Sequence, residues 1–168
     1  MIKMALRQIR EVGDELLRKK SRPVEVVDDK IRALFDDMLE TLKSAKDGVG
    51  LAAPQIGILK RMIVVDLSEE KEKVIYKLVN PVIVKAKGEQ VCREGCLSVP
   101  GLLGDVTRPK EVVVEALDEN GKSIKIKASD LLAIVLCHEI DHLDGVLFID
   151  KATKLVDADE DESEEERD

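Results

Sequence analysis

The chain's only two histidines fall in one short run, His138-Glu139-Ile140-Asp141-His142. Residues four apart stand on one face of a helix, so both imidazoles can grip a single metal ion. Glu139, next to the first of them, can then stand beside a metal-bound water and remove its proton, which is the chemistry of a hydrolytic metal site. Such a site needs a third protein ligand. Cys96 is the best candidate: it lies in Glu94-Gly95-Cys96-Leu97-Ser98-Val99-Pro100, where the glycine and proline suggest a special backbone path rather than a strand interior. Cys92 and Cys137 read as small, buried apolar residues. Cys137 directly precedes His138, so its side chain points about 100° away around the helix and should miss the metal. One alternative uses the same atoms differently, with Cys92, Cys96, His138 and His142 closing a structural zinc site that has no water and no activity. It leaves Glu139 without a task.

Two further stretches bear on such a site. Leu131, Ile134 and Val135 share the helical face of His138 and His142, and can either border an apolar pocket beside the metal or pack into the core. The segment Gly48-Val49-Gly50-Leu51-Ala52-Ala53-Pro54-Gln55-Ile56-Gly57 is rich in small residues that let another chain approach its backbone. It lacks the Gly-Lys-Ser or Gly-Lys-Thr of a phosphate loop. Folded over the metal, it would let Gln55 offer an amide donor to a developing oxyanion.

The elements that must position these residues follow from periodicity. Asp28 or Asp29 caps a helix to about Lys46, since Ile31, Leu34, Phe35, Met38, Leu39 and Leu42 repeat at helical spacing. A shorter helix over Asp14 to Lys20 stops near Arg22, because Pro23 disfavours helical geometry in the residue before it. Five Val- and Ile-rich strands are expected at 62–67, 74–79, 82–87, 112–117 and 123–127. Asp118-Glu119-Asn120-Gly121 favours a hairpin between the last two, which makes the strands antiparallel. Ser129 or Asp130 caps the histidine-bearing helix, which ends near Asp144-Gly145. The expected class is α+β, with antiparallel-rich sheets packed around the metal-binding helix and a helix nearer the N-terminus.

At 168 residues the chain suits one domain, expected over 1–156, followed by an acidic tail over 157–168. That tail holds nine acids against Arg167 and accounts for the whole net charge of −8, so residues 1–156 are neutral overall. It reads as disordered and solubilising, because like charges repel and no apolar face is present. No basic footprint argues for a nucleic-acid substrate. No apolar run approaches the ~20 residues of a membrane span, and the start lacks a secretory signal, so a cytoplasmic address is expected. Three cysteines without an export signal argue against a disulfide framework.

With these stretches in hand, the chain resembles the peptide deformylases, metal-dependent hydrolases that remove the N-formyl group from the formylmethionine of nascent polypeptides, giving formate and a free methionyl amine. Gly48 to Gln55, Glu94 to Ser98 and His138 to His142 match the family's three motifs in the family's order, and the resemblance covers Ala5 to about Leu155. It implies that Cys96, His138 and His142 bind one divalent metal ion, physiologically Fe2+ and readily Zn2+, Ni2+ or Co2+ in preparations. Glu139 would be the acid and base. The Gln55 amide and the Leu97 backbone N–H would hold the oxyanion, and Gly50 would offer its backbone to the substrate. Val49, Leu131, Ile134 and Val135 match positions bordering the methionine pocket. The expected partners are N-formylmethionyl peptides of nascent chains, with neither nucleic acid nor membrane.

The chain departs from the family pattern in three places. Cys137 stands where Gln is common. Leu103 stands where some members carry Arg to hold the substrate backbone. The acidic tail, unlike the basic C-terminal helix of some bacterial members, should be repelled by ribosomal RNA, which makes ribosome docking through it doubtful. The enzymatic rival is a zinc peptidase, for which the histidine run is also a signature. Its third ligand should lie downstream, where the available acids, such as Glu160 or Glu162, are in the tail.

Overall fold

Strand β2 (Met62–Leu67) shows how the sequence divides the protein into two cores. Its side chains alternate between faces, yet nearly all are buried, because each face is covered by a different helix. Ile63, Val65 and Leu67 join the cluster beneath the histidine helix, while Met62 and Val64 join the one beneath the N-terminal helix. The computed structural model describes residues 6–71 and 73–165.

Helix α1 (Asp29–Ser44) is capped by Asp28, whose carboxylate accepts from the Ile31 N–H at 3.1 Å. Its stripe of Ile31, Leu34, Phe35, Met38 and Leu42 is buried, as the spacing predicts. The expected helix at Asp14 to Lys20 is a single 3-10 turn, Glu15–Arg18, with Asp14 as its cap.

A five-stranded antiparallel sheet runs in the order β1 (Gly50–Ala52), β2, β3 (Val74–Lys87), β6 (Glu111–Leu117), β7 (Ser123–Ser129). The two strands expected at 74–79 and 82–87 are one, with a register shift between Val79 and Val82. There Asn80 adopts φ 52°, and its side chain both accepts from and donates to the Val24 backbone, so a bulge absorbs Pro81 without ending the strand. The β6–β7 hairpin closes as expected through Asp118, with Gly121 at φ 78°.

A second antiparallel sheet, of three strands, was not read from the sequence: β4 (Gln90–Cys96), β5 (Val99–Arg108) and β8 (Lys154–Asp157). Between β7 and β8 come α2 (Asp130–Leu143), which carries both histidines, and the short α3 (Phe148–Lys151). Ser129 stands at the N-cap of α2 without a side-chain capping bond, and Gly145, at φ 74°, follows its end. The acidic segment begins with helix α4 (Ala158–Glu165), packed against β5 and β8. Among the described residues no helix is long and apolar enough to cross a membrane.

Candidate metal centre

Cys96 lies at the end of β4, and the β4–β5 reversal passes through Leu97 and Ser98. Helix α2 lies between the two sheets and presents His138 and His142 one turn apart toward that reversal. The ligand atoms of Cys96, His138 and His142 all lie within 4.8 Å of one another, with Cys96 Sγ 3.4 Å from His142 Nε2. Cys92 is outside the cluster, so the closed four-ligand alternative is not assembled. Cys137 packs into the core beneath α2, where burial pushes its thiol up to about 11.

The histidines are held by different means. Glu94 Oε1 lies 2.8 Å from His138 Nδ1, which leaves Nε2 for the centre of the cluster. Both Glu94 oxygens accept from Arg108 at 2.9 Å, and Arg108 also donates to Asp141 at 2.7 Å. The Arg108 side chain is 2% exposed and that of Glu94 5%, so the pair is shielded from water. Burial alone would raise the Glu94 pKa, but the hydrogen bonds from Arg108 and His138 outweigh it and hold the carboxyl below its ordinary value. Phe148 of α3 stacks near-parallel on His138, with ring centroids 6.3 Å apart. Burial pushes the His142 pKa well below its usual range, which favours the neutral imidazole a metal requires.

The residues fit a cation. Around His138 burial disfavours charge, yet the bonds to Cys96 and Glu94 and the nearby Glu139 together raise its pKa to about 10. The carboxylates of Glu94 and Glu139 beside His138 favour positive charge there, and one thiolate with two imidazoles is a donor set for a divalent transition metal.

Glu139 completes the arrangement. It is fully enclosed, with Oε1 3.6 Å from His138 Nε2 and Oε2 without a hydrogen-bond partner among the described residues. Burial raises its pKa to about 7. Gly50 makes room for it: a Cβ there would lie 2.9 Å from Glu139 Cγ and 3.0 Å from Val135 Cγ1. Gln55, in the 3-10 turn Ala53–Ile56, is buried, and its Oε1 accepts from the Ala52 N–H at 2.9 Å. That bond fixes the amide so that Nε2 donates to Ser98 Oγ at 3.0 Å and sits 3.6 Å from Cys96 Sγ.

These groups open on a cleft of about 490 Å³ lined by Val49, Gly50, Gln55, Leu97, Leu131, Ile134, Val135, His138 and Glu139. Every residue expected at the site from the sequence is therefore in one place: all but His142 line the cleft, and His142 lies beneath it, fully buried among the ligands. Glu94, Arg108, Asp141 and Phe148 received no role from the sequence. The one available signal was an acidic residue two positions before Cys96, and its cation is 14 residues away in another strand.

Comparison with known proteins agrees with this geometry. Residues 6–158 match the family model described as polypeptide deformylase. The peptide deformylase of Acetivibrio thermocellus is 54% identical over 157 residues, covering 94% of this chain and 89% of that protein. Peptide deformylase 2 of Clostridium acetobutylicum is 58% identical over 153 residues, covering 91% and 99%. Among solved structures, a peptide deformylase from Legionella pneumophila superposes with a TM-score of 0.84 at 47% identity, over 89% of this chain and 87% of that one. One from Synechococcus elongatus, in complex with actinonin, gives 0.83 at 41% identity, over 92% and 85%. By sequence along nearly its whole length and by fold, this chain belongs to the polypeptide deformylase family.

Proposed function

We propose that this deformylase cleaves the formyl amide of N-formylmethionyl peptides at a divalent ion held by Cys96, His138 and His142, with residues 1–156 acting as one catalytic domain. The observation that carries the reading is the enclosed Glu139 carboxylate set beside that three-ligand cluster at the floor of an open cleft. When bound, the ion supplies Lewis acidity that polarises the formyl group and acidifies water.

The chain's own residues do the rest. Glu139 removes a proton from the water that adds to the formyl carbon, and returns it to the amine nitrogen as the C–N bond breaks. Formate and a free methionyl amine result. A carboxyl that burial brings to about 7 is matched to both transfers near neutral pH. Gln55 Nε2 and the Leu97 N–H donate to the formyl oxygen as it gains charge, and the bond from Ala52 keeps the Gln55 amide from flipping. Gly50 contributes its backbone to the peptide, and Val49, Leu131, Ile134 and Val135 enclose the methionine side chain. The native ion in this reading is ferrous, although the same donors accept zinc, nickel or cobalt. The enzyme works in the cytoplasm on nascent chains, and its acidic tail does not dock it on the ribosome.

The test is formate release from a formyl-Met tripeptide by anaerobically prepared, iron-loaded protein, beside Glu139→Ala. Wild type should turn over, and the variant should bind metal yet release none. An active, metal-replete Glu139→Ala would remove Glu139 from this role, and no release by metal-replete wild type would discard the reading.

A further inference from the structure

Two donors that must meet at one oxygen stand on different parts of the fold. Gln55 lies in the 3-10 turn that follows β1 of the large sheet, and Leu97 in the β4–β5 reversal of the small one. Ser98, fully buried, joins them from one side: its Oγ takes one of the two Nε2 hydrogens of Gln55 at 3.0 Å, which leaves the other free for substrate. The Leu97 side chain packs against the cluster beneath α1. Such apolar contact is non-directional and does not by itself set how far the Leu97 N–H stands from the Gln55 amide.

A second connection comes from the segment ahead of the first 3-10 turn. The Arg10 N–H donates to the Gln55 carbonyl at 2.6 Å, and the Val12 N–H donates to the Ser98 carbonyl at 2.7 Å. Two residues of chain span at most about 7 Å, so these bonds limit the separation of the two donor-bearing loops. The segment is itself held at both ends. Upstream, the Arg7 N–H donates to Thr41 Oγ1 at 2.9 Å and its guanidinium pairs with Asp37 of α1 at 2.8 Å. Downstream, Asp14 caps the turn that buries Leu17. The Arg10 guanidinium covers Gly57, where a Cβ would lie 3.0 Å from it, and reaches Asp14 at 3.2 Å. Burial does not account for this path, since Leu6 and Val12 are both exposed. The segment also lies outside the cleft, whose lining among the described residues begins at Lys46.

We propose that Arg10 to Val12 form a strap across the back of the oxyanion site, which sets the spacing of the Gln55 amide and the Leu97 N–H through its two backbone bonds. The proposal rests on the deformylase reading. These are positioning residues, and they touch no part of the substrate. Charge gathers on the formyl oxygen only as the transition state is approached, so a loosened strap lowers kcat and leaves KM nearly unchanged.

The experiment follows formate release from a formyl-Met tripeptide by the metal-loaded full chain. Val12→Pro removes the N–H that reaches Ser98, at a position whose side chain is exposed. Its kcat should fall about tenfold with KM within about twofold, because a donor displaced by even 1 Å can cost about 100-fold. Metal content and melting temperature should stay near those of wild type, and Val12→Ala, which keeps the N–H, should retain wild-type kcat. Placed on Gln55→Ala, the same Val12→Pro change should cost less than about twofold, since with one donor left there is no spacing to keep. Where Val12→Pro does not fold, an ester in place of the Glu11–Val12 amide removes the N–H with the side chain retained, and carries the same expectations. An unchanged kcat, a loss that falls on KM, or an equal loss with and without Gln55 overturns the proposal. Wild type separates the two levels of inference, since its failure to release formate when metal-replete would refute the deformylase reading itself.

Discussion

Replacing Gly50 by alanine tests whether the position of Glu139, and not only its presence, governs the chemistry. The added methyl carbon would stand 2.9 and 3.0 Å from Glu139 Cγ and Cδ and 3.0 Å from Val135 Cγ1. Carbon atoms prefer about 3.5–4.0 Å, so three contacts would each be short by at least about half an ångström. The helix backbone cannot yield, because α2 is packed against the five-stranded sheet by Leu132, Ala133, Leu136 and Ile140. What gives way is the Glu139 side chain, whose Oε2 has no hydrogen-bond partner among the described residues. Overpacking of this kind costs about 1–3 kcal/mol of stability. The loss of a placed acid and base costs about 100- to 10,000-fold in rate. Gly50→Ala should therefore lower kcat by 100-fold or more, while metal content stays at one ion per chain and the fold survives. Formate release, metal analysis and thermal melting on one preparation decide the matter. A variant with kcat within about threefold of wild type would show that Glu139 needs no such clearance. A variant that loses its metal would place the damage at the ligands.

Glu94→Gln should weaken metal binding about 10- to 100-fold, read by chelator competition, because the carboxylate that fixes His138 becomes a neutral amide. Metal affinity equal to wild type would sink that role. Asp150 offers a pH test away from the metal. Arg18 lowers its pKa below the ordinary 3.8, so its contribution to stability is complete above that pH and is lost as the pH falls through the lower folded value. The melting-temperature gap between wild type and Asp150→Asn should stay constant above about pH 5 and close below about pH 3.8, and a gap that persists to pH 2 would contradict the assignment.

How much of this was legible in the sequence depended on whether a residue's partner was near it in the chain. Helix α1 and strand β2 could be read because their burial follows a local period, and the histidine helix because a metal motif is itself a local spacing. The second sheet was hidden for the opposite reason. Strands β4 and β5 bury Glu94 and Arg108 against each other, so the residues that matter most there look like surface charges until the pairing is known. Strand β8 carries a mostly exposed four-residue ladder with no apolar signature. Helix α4 escaped because its contact is an ion pair, Asp161 with Arg93, and not an apolar stripe. Pro81 concealed the continuity of β3, since the bulge that tolerates it depends on Asn80 reaching the Val24 backbone.

The ion pair that the sequence hid also explains how ligands from separate elements are kept in register. Cys96 belongs to the small sheet, while His138 and His142 belong to a helix packed mainly against the large one. Apolar contact between those bodies is non-directional and cannot by itself fix the distance from a thiol to an imidazole. Arg108 can, since one planar guanidinium holds Glu94, two residues before Cys96, and Asp141, one residue before His142. The orientation of strand and helix is thereby tied to the rigid fork of a single side chain, and Glu94 extends the tie to His138. Desolvating three charges is expensive, and well-packed apolar replacements of such buried groups are often as stable. What it would lose is the register of the ligands, so the buried charges serve the metal centre more than they serve the fold.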